Sequence, residues 1–146
     1  MSLHDTILAD LTAAMKERDT DRVAVLRLIK SALLNTAKET GAEKLDDATV
    51  IATLQREAKK RRESITAFEA GDRMDLADQE KKELAIIEGY LPEQLSEDEI
   101  RAAVQAVIGE MGSDNFGAVM GAVMKKLQGR ADGNQVKSVV EKLLHK

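Results

Sequence analysis

The chain has 146 residues, of which 43% are hydrophobic and 33% are charged, with one proline and no cysteine. This length accommodates one ordinary domain or two very small ones, the composition favours helices, and the absence of cysteine excludes disulfides and thiolate chemistry. The net charge of −4 at pH 7 argues against indiscriminate binding of nucleic acid, so any contact with RNA requires a local basic patch.

The first two predicted helices form a hairpin. Ser2 is placed to cap the first helix, with Asp5 three residues later in the arrangement of a capping box. The second helix is predicted to begin between Asp19 and Asp21 and to end at Gly41. Helical spacing predicts the buried faces, which are Leu3, Ile7, Leu11 and Met15 in the first helix and Val23, Leu26, Ile29 and Leu33 in the second.

Two further helices complete the N-terminal part. Asp46 is the predicted cap of the third helix and Gly71 its end, while the fourth helix ends before Pro92. We place a domain boundary at this proline, which predicts an N-terminal domain over residues 1–92 and a C-terminal domain over 93–146. The predicted core residues are Val50, Leu54, Arg61, Ile65 and Phe68 in the third helix and Leu76, Leu84 and Ile87 in the fourth.

The C-terminal part is predicted to contain three short helices. Ser96 and Glu99 form a capping box for the first of them, which ends at Gly112, and Ser113 is predicted to begin the second. The predicted core residues are Ile100, Val104, Val107, Ile108 and Met111 in the first and Phe116, Val119, Met120, Val123 and Leu127 in the second. The sequence therefore predicts an all-α fold, with a four-helix N-terminal part followed by a small three-helix C-terminal module.

Residues suited to catalysis are scarce. The two histidines, His4 and His145, lie near the ends of the chain, where we expect fraying, and most carboxylates have Lys or Arg three or four residues away, the spacing of surface ion pairs. We therefore predict no catalytic residue, no metal and no cofactor. With no signal-peptide pattern and no apolar run long enough to span a bilayer, we expect a cytoplasmic protein without membrane contact.

The densest basic cluster is the run "REAKKRRES", residues 56–64. On a helix, Arg56, Lys59 and Lys60 share one flank and Arg62 lies farther round, whereas Arg61 falls close to the apolar stripe. A solvated amphipathic face explains the run, and a ridge that contacts phosphates is the alternative.

The stretch "FGAVMGAVMKKLQGRADGNQV", residues 116–136, contains Gly117 and Gly121 inside a predicted helix. No strand precedes it, which excludes a Walker-type phosphate loop, and its apolar segment is too short for a membrane helix. Each glycine costs the helix about 1 kcal/mol relative to alanine. We therefore expect another backbone to approach these glycines closely, either from a packed helix or from a ligand.

The connection "QGRADGNQV" is predicted to form an anion site. Gly129 can end one helix with a positive φ, and Asp132 can cap the next helix with Gln135 in the reciprocal position. Cations crowd around this helix start, which suits phosphate. The candidate RNA-binding residues are Lys125, Lys126, Gly129, Arg130, Gly133, Asn134 and Lys137.

Several segments in order resemble one known family. "RVAVLRLIKSALLN", "EKKELAIIEGYLP", "YLPEQLSEDEI" and the segment from residue 116 onwards resemble the YqeY-like proteins over essentially the whole chain. That family is related to the helical tail of the GatB subunit of the glutamine-dependent tRNA amidotransferase, where the tail holds the tRNA body. The matching positions are Gly117, Met120, Gly121, Gly129, Arg130, Ala131, Asp132 and Val136, with Lys125 nearby.

The resemblance implies a tRNA-binding or tRNA-amidotransferase-associated accessory domain, with tRNA and an aminoacyl-tRNA-processing enzyme as partners. It also implies carbon–nitrogen ligase activity with glutamine as the amido donor. The sequence contains no Ser-Ser-Lys amidase core, no ATP-binding fold and no metal cluster, so we predict a binding module that is inactive alone. A protein–protein interaction module without RNA binding is the alternative.

Overall fold

The computed structural model describes residues 2–144, which form seven α-helices and no strand. The helices are α1 Leu3–Glu17, α2 Thr20–Thr40, α3 Asp47–Ala70, α4 Met74–Glu88, α5 Glu97–Met111, α6 Phe116–Leu127 and α7 Gly133–Leu144. The prediction of an all-α fold with four helices followed by three is confirmed. The chain divides into two compact units, Met1–Leu91 and Pro92–Lys146, called here the N-terminal and C-terminal units.

Short polar residues begin the helices by accepting hydrogen bonds from their free backbone N–H groups. Asp46 Oδ1 accepts from Thr49 N at 2.8 Å, and Ser96 and Glu99 form the predicted capping box. In α1, Ser2 is the cap as predicted and accepts from Asp5 N at 3.1 Å, and the Asp5 carboxylate also pairs with Lys44 at 2.7 Å.

The start of α6 also differs from the prediction. Asn115, not Ser113, is the cap, and its Oδ1 accepts from Ala118 N at 2.9 Å. Ser113 Oγ accepts instead from Asn115 N at 3.1 Å, which holds the turn before the helix. The helix therefore begins at Phe116, one short turn later than the sequence predicts.

The N-terminal unit packs around aliphatic side chains of all four helices. Met15 and Leu76, predicted to be buried, are 47% and 36% exposed, because the buried stripe continues through Ala14 in α1 and Ala77 in α4. Phe68 is half-buried rather than a core residue. The buried core residues are Ile7, Leu11, Ala14, Val25, Leu26, Ile29, Leu33, Leu45, Val50, Leu54, Ala58, Ile87 and Leu91.

The C-terminal unit has a core of its own in which valine predominates. Met111, predicted to be buried at the end of α5, is 41% exposed. The buried core residues are Ile100, Val104, Val107, Val119, Val123, Leu127, Ala131, Val136, Val139 and Val140. The three short helices therefore bury a continuous apolar centre between them.

His4 does not fray. It is buried in the first turn of α1, and its Nδ1 accepts a hydrogen bond from the backbone N–H of Leu45 at 3.3 Å. This bond ties the start of α1 to the loop between α2 and α3. The prediction of a frayed end is thus wrong for His4, and His145 lies outside the described residues.

Tyr90 connects three segments of the N-terminal unit. Its hydroxyl donates to Asp10 Oδ2 of α1 at 2.6 Å and accepts from Arg22 Nη2 of α2 at 3.3 Å, while its own backbone follows α4. Burial and the hydrogen bond to Asp10 raise the pKa of Tyr90 from its ordinary 10.0 to about 12.

We expect Tyr90→Phe to lower the free energy of unfolding by about 1.5 kcal/mol at neutral pH, because it removes a hydrogen bond to a charged group. The folded protein raises this pKa above that of the unfolded chain, so the contribution is complete below pH 10 and is lost as the pH rises towards 12. Urea unfolding at pH 7 measures the loss of stability, and urea unfolding in the alkaline range measures how that loss depends on pH. Equal stability of the two proteins at pH 7 would contradict the role of the hydroxyl.

Candidate nucleic-acid interface

The turn between α6 and α7 reverses the chain with two residues in unusual backbone conformations. Gln128 has a φ of 26° and Gly129 a φ of 81°, and Gly129 is buried, so the positive φ predicted for this glycine is confirmed. Ala131 is 1% exposed and anchors the turn in the core. The turn is therefore a fixed structure at the end of α6.

The segment 92–95, called here the connecting segment, is hydrogen-bonded to this turn. Gln94 Nε2 donates to the carbonyl oxygens of Pro92 and Gly129, both at 2.8 Å, and Leu95 N donates to Arg130 O at 2.8 Å. In return, Arg130 Nε donates to Glu93 O at 3.4 Å. Sequence reasoning missed this connection, since the partners are separated by 35 or more residues and no local pattern joins them.

The start of α7 is capped from within the chain. Asp132 Oδ1 accepts from Asn134 N at 3.1 Å, and Asp132 O accepts from Val136 N at 3.1 Å. A carboxylate thus already lies at the helix start where the sequence predicts an external anion, and it occupies the position that a phosphate would need. Gln135 lines a groove between α5 and α7.

The seven candidate residues divide into two groups. Lys125, Lys126, Arg130, Asn134 and Lys137 are exposed, whereas Gly129 is buried and Gly133 half-buried. A Cβ atom at Gly133 would lie 3.9 Å from Met124 Cε, which places this glycine against α6. The two glycines therefore shape the turn, and the exposed side chains are the ones that a ligand can reach.

Four of the exposed side chains on α6, α7 and the turn between them are cationic and are called here the basic face. Its members are Lys125, Lys126, Arg130 and Lys137. In the described part of the C-terminal unit, the ion pairs join Arg101 and Lys142 to carboxylates at the start of α5, and no member of the basic face forms one. These four cations are therefore available to an anion from outside.

Charge is unevenly distributed along the C-terminal unit. Residues 116–144 contain five Lys or Arg and two Asp or Glu, whereas residues 92–115 contain six Asp or Glu and one Arg. Hydrogen bonds from Ser96 lower the pKa of Glu99, and the charge of Arg130 adds to this effect. The two regions are therefore close to each other at this point. An acidic chain thus presents a locally positive surface on α6 and α7.

In the second candidate, the ridge on α3, two of the four cations are paired with carboxylates. Lys60 pairs with Glu57 at 3.1 Å and Arg62 with Glu88 at 3.9 Å, while Arg56 Nη2 donates to Thr53 Oγ1 at 3.4 Å. Lys59 is exposed and, among residues 2–144, has no ion pair. The structure thus favours the solvated amphipathic face over a phosphate-binding ridge at this site.

Arg61, in the middle of that run, is buried, as its position on the apolar stripe predicts. It pairs with Glu57 at 3.2 Å and with Glu83 of α4 at 3.7 Å. Burial raises the pKa of Glu83, and repulsion from Glu80 adds to the effect. Arg61 therefore braces α3 against α4 and takes no part in a ligand site.

The two glycines inside α6 have no close neighbour. A Cβ atom at Gly121 would have no other atom within 4 Å, and one at Gly117 would meet only Asn115 Oδ1, at 3.5 Å. The expectation that a packed helix approaches these glycines is therefore wrong within the described residues. Both glycines are exposed.

Residues 4–144 match the family described as Yqey-like protein. The chain belongs to that family. The resemblance seen in its sequence motifs is thereby confirmed over nearly the whole length.

Curated relatives of this Yqey-like protein include two with one printed name, Altered inheritance of mitochondria protein 41, mitochondrial. The protein from Pyrenophora tritici-repentis is 29% identical over 93% of this chain and 77% of its own length. The protein from Lachancea thermotolerans is 28% identical over 84% of this chain and 66% of its own length. An uncharacterized protein of Schizosaccharomyces pombe is 28% identical over 65% of this chain and 76% of its own length.

Between residues 2 and 144, no three His, Asp or Glu side chains come together as ligands for a metal ion. Over the same part of the chain, no helix combines the length and the apolar character that crossing a bilayer requires.

We expect Arg61→Met to lower the free energy of unfolding by about 3 kcal/mol, because it leaves the partly buried Glu83 without its cation. Combining it with Glu83→Gln should restore part of the loss. Since the folded protein raises the pKa of Glu83, protonation favours folding, and the cost of Arg61→Met should shrink as the pH falls through that pKa.

Urea unfolding monitored by circular dichroism gives these values. Arg62→Met is the matched control, since its ion pair with Glu88 is long and partly exposed and should contribute less than about 1 kcal/mol. An effect of Arg61→Met no larger than that of the control would argue against the bracing role.

We expect Gly121→Ala to raise the free energy of unfolding by about 0.5–1 kcal/mol, since the new methyl group meets no neighbour and alanine favours the helix. Gly129→Ala should instead lower it by about 1–2 kcal/mol, because the φ of 81° disfavours a residue with a Cβ atom. Thermal and urea unfolding of the pair tests this contrast. Destabilisation by Gly121→Ala would mean that α6 has a neighbour that the structure does not show.

Proposed function

We propose that this Yqey-like protein is a tRNA-binding accessory module, whose C-terminal unit contacts the phosphates of folded RNA through the basic face. The observation that carries the proposal is that, among residues 2–144, these four exposed cations form no ion pair, whereas Lys60, Arg61 and Arg62 of α3 are each paired with a glutamate. A carboxylate that pairs with a cation offsets part of its positive charge, whereas an unpaired cation can contact a phosphate and displace its counterions.

Backbone contact is the mode of binding that the basic face supports. Recognition of single-stranded bases uses aromatic side chains as stacking platforms. Phe116 is the aromatic residue of the described C-terminal unit, and it is half-buried against the core. We therefore propose that the ligand is folded RNA, in which the phosphates of a helix are dense and regularly spaced.

The exposed glycines of α6 are consistent with the same proposal. Gly117, Gly121 and Lys125 are spaced four residues apart and so follow one line along the helix. With no side chain at two of these positions, a ligand backbone can come near the helix next to the lysine. In that arrangement Gly121→Ala would stabilise the protein and weaken its binding to RNA, two effects that a structural role alone does not combine.

The association with an amidotransferase rests on the resemblance to the GatB tail. In this proposal the partner enzyme carries out the carbon–nitrogen ligase reaction with glutamine, and this chain holds the tRNA. The cytoplasmic location predicted from the sequence is part of the proposal. The mitochondrial names belong to the fungal relatives.

The test is a fluorescence titration with bulk tRNA at several salt concentrations. We expect affinity to fall with salt, with a slope of log Kobs against log salt of about 0.9 per phosphate contacted. Arg130→Glu should weaken binding and reduce that slope by about one. Arg101→Glu is the matched control, because it makes the same change of charge in the same unit at an arginine already paired with Glu97 and Asp98.

Two outcomes would overturn the proposal. One is equal, negligible binding of tRNA by the parent protein and Arg130→Glu. The other is an equal loss in Arg130→Glu and Arg101→Glu, which would show that net charge and not the basic face governs binding.

A specific surface favours the alternative, a protein-interaction module without RNA binding. The groove between α5 and α7 has a volume of about 390 Å³, a floor that includes Ile100 and Val139, and polar side chains such as Ser138 at its sides. Two results together would support this alternative. Partners captured from a cell extract would stay bound after nuclease treatment, and no salt-dependent binding of tRNA would be seen.

A further inference from the structure

Both N–H groups of the Gln94 side chain donate hydrogen bonds to backbone carbonyls. A carboxamide nitrogen carries two hydrogens, and those of Gln94 go to Pro92 O and Gly129 O at 2.8 Å each. The side chain is half-buried, so water competes poorly for these bonds. Gln94 is thus bound to the connecting segment on one side and to the turn between α6 and α7 on the other.

The backbone on both sides of Arg130 is held by the connecting segment. The carbonyl of Gly129 accepts from Gln94, and the carbonyl of Arg130 accepts from Leu95 N at 2.8 Å. Glycine adopts the φ of 81° at Gly129 readily, but the φ of 26° at Gln128 is sparsely populated for a residue with a side chain and persists only where the surroundings hold it. These bonds therefore fix where the Arg130 side chain leaves the surface.

The guanidinium of Arg130 is oriented by the same segment. Its Nε donates to Glu93 O at 3.4 Å. Arg130 is exposed, and within the described residues neither terminal nitrogen has a hydrogen-bond partner, so the donors of both are unused there. A planar group held at Nε and free at both Nη atoms is pre-organised for the oxygens of a phosphate.

We infer that Gln94 is a positioning residue of the RNA interface, which holds Arg130 in the geometry that contacts a phosphate. This inference rests on the proposed function. It assigns a role to an uncharged residue outside the basic face. It also makes the connecting segment part of the binding surface.

The experiment compares the parent protein with Gln94→Met, which keeps the length of the side chain and removes both donors. Titrations with bulk tRNA across a salt series are made at a temperature where circular dichroism shows every variant folded. We expect Gln94→Met to weaken binding about tenfold, the effect of losing one charge-assisted hydrogen bond, and to lower the salt slope by about one. Gln105→Met, at an exposed glutamine of α5, is the matched control and should bind as the parent does.

Non-additivity separates positioning from a general loss of stability. Gln94→Met combined with Arg130→Gln should bind no more weakly than Arg130→Gln alone, because both changes remove the same phosphate contact. Amide exchange at Leu95 should accelerate in Gln94→Met. If that variant fails to fold, Gln94→Asn replaces it, since its amide is one methylene too short to reach both carbonyls.

The outcomes distinguish this inference from the proposed function. If the parent and Arg130→Gln bind tRNA equally weakly, the proposed function fails and the role of Gln94 fails with it. If Arg130→Gln weakens binding while Gln94→Met binds as tightly as the parent, the proposed function stands and the positioning role is overturned. Losses that add in the double variant overturn it as well.

Discussion

Helical spacing decides which cations of this acidic chain remain available. Acidic residues outnumber Lys and Arg by 26 to 22, and on a helix a carboxylate three or four positions away neutralises a cation. In α3, Glu57 pairs with Lys60 and Arg61, and Glu83 and Glu88 of α4 pair with Arg61 and Arg62. In α6 the eight residues before Lys125 contain no acid, so its lysines have no such neighbour. The functional contrast between the two basic clusters follows from this difference.

Features governed by neighbours in sequence could be predicted. The cap at Asp46, the capping box at Ser96, the left-handed Gly129 and the buried position of Arg61 depend on local hydrogen bonds or on helical periodicity. Errors at Met15 and Met111 have one cause. A stripe of period 3.6 fits two neighbouring positions near a helix end, and the flank that a packing helix covers decides between them.

Features that depend on distant segments could not be predicted. Gln94 and Gly129 are 35 positions apart in the sequence, and Tyr90 and Asp10 are 80 positions apart. No local sequence pattern therefore indicates which residues these side chains bond to. The charged residues of the site could therefore be predicted from the sequence, whereas the hydrogen bonds that hold the turn between α6 and α7 could not. The glycines of α6 show the converse, since their cost to the helix was clear from the sequence, whereas no packing contact among the described residues offsets it.

The connecting segment has a consequence for how the C-terminal unit can be transplanted. A stretch that follows a proline and precedes a helix cap would ordinarily be treated as a spacer, which tolerates insertion, shortening or replacement. Here the carbonyl of Glu93, the amide N–H of Leu95 and the side chain of Gln94 are all hydrogen-bonded to the turn 35 or more residues away. A fusion protein that carries the three helices but begins at Ser96 would keep the apolar centre and lose the hydrogen bonds that position Arg130. The transferable module therefore starts at Pro92.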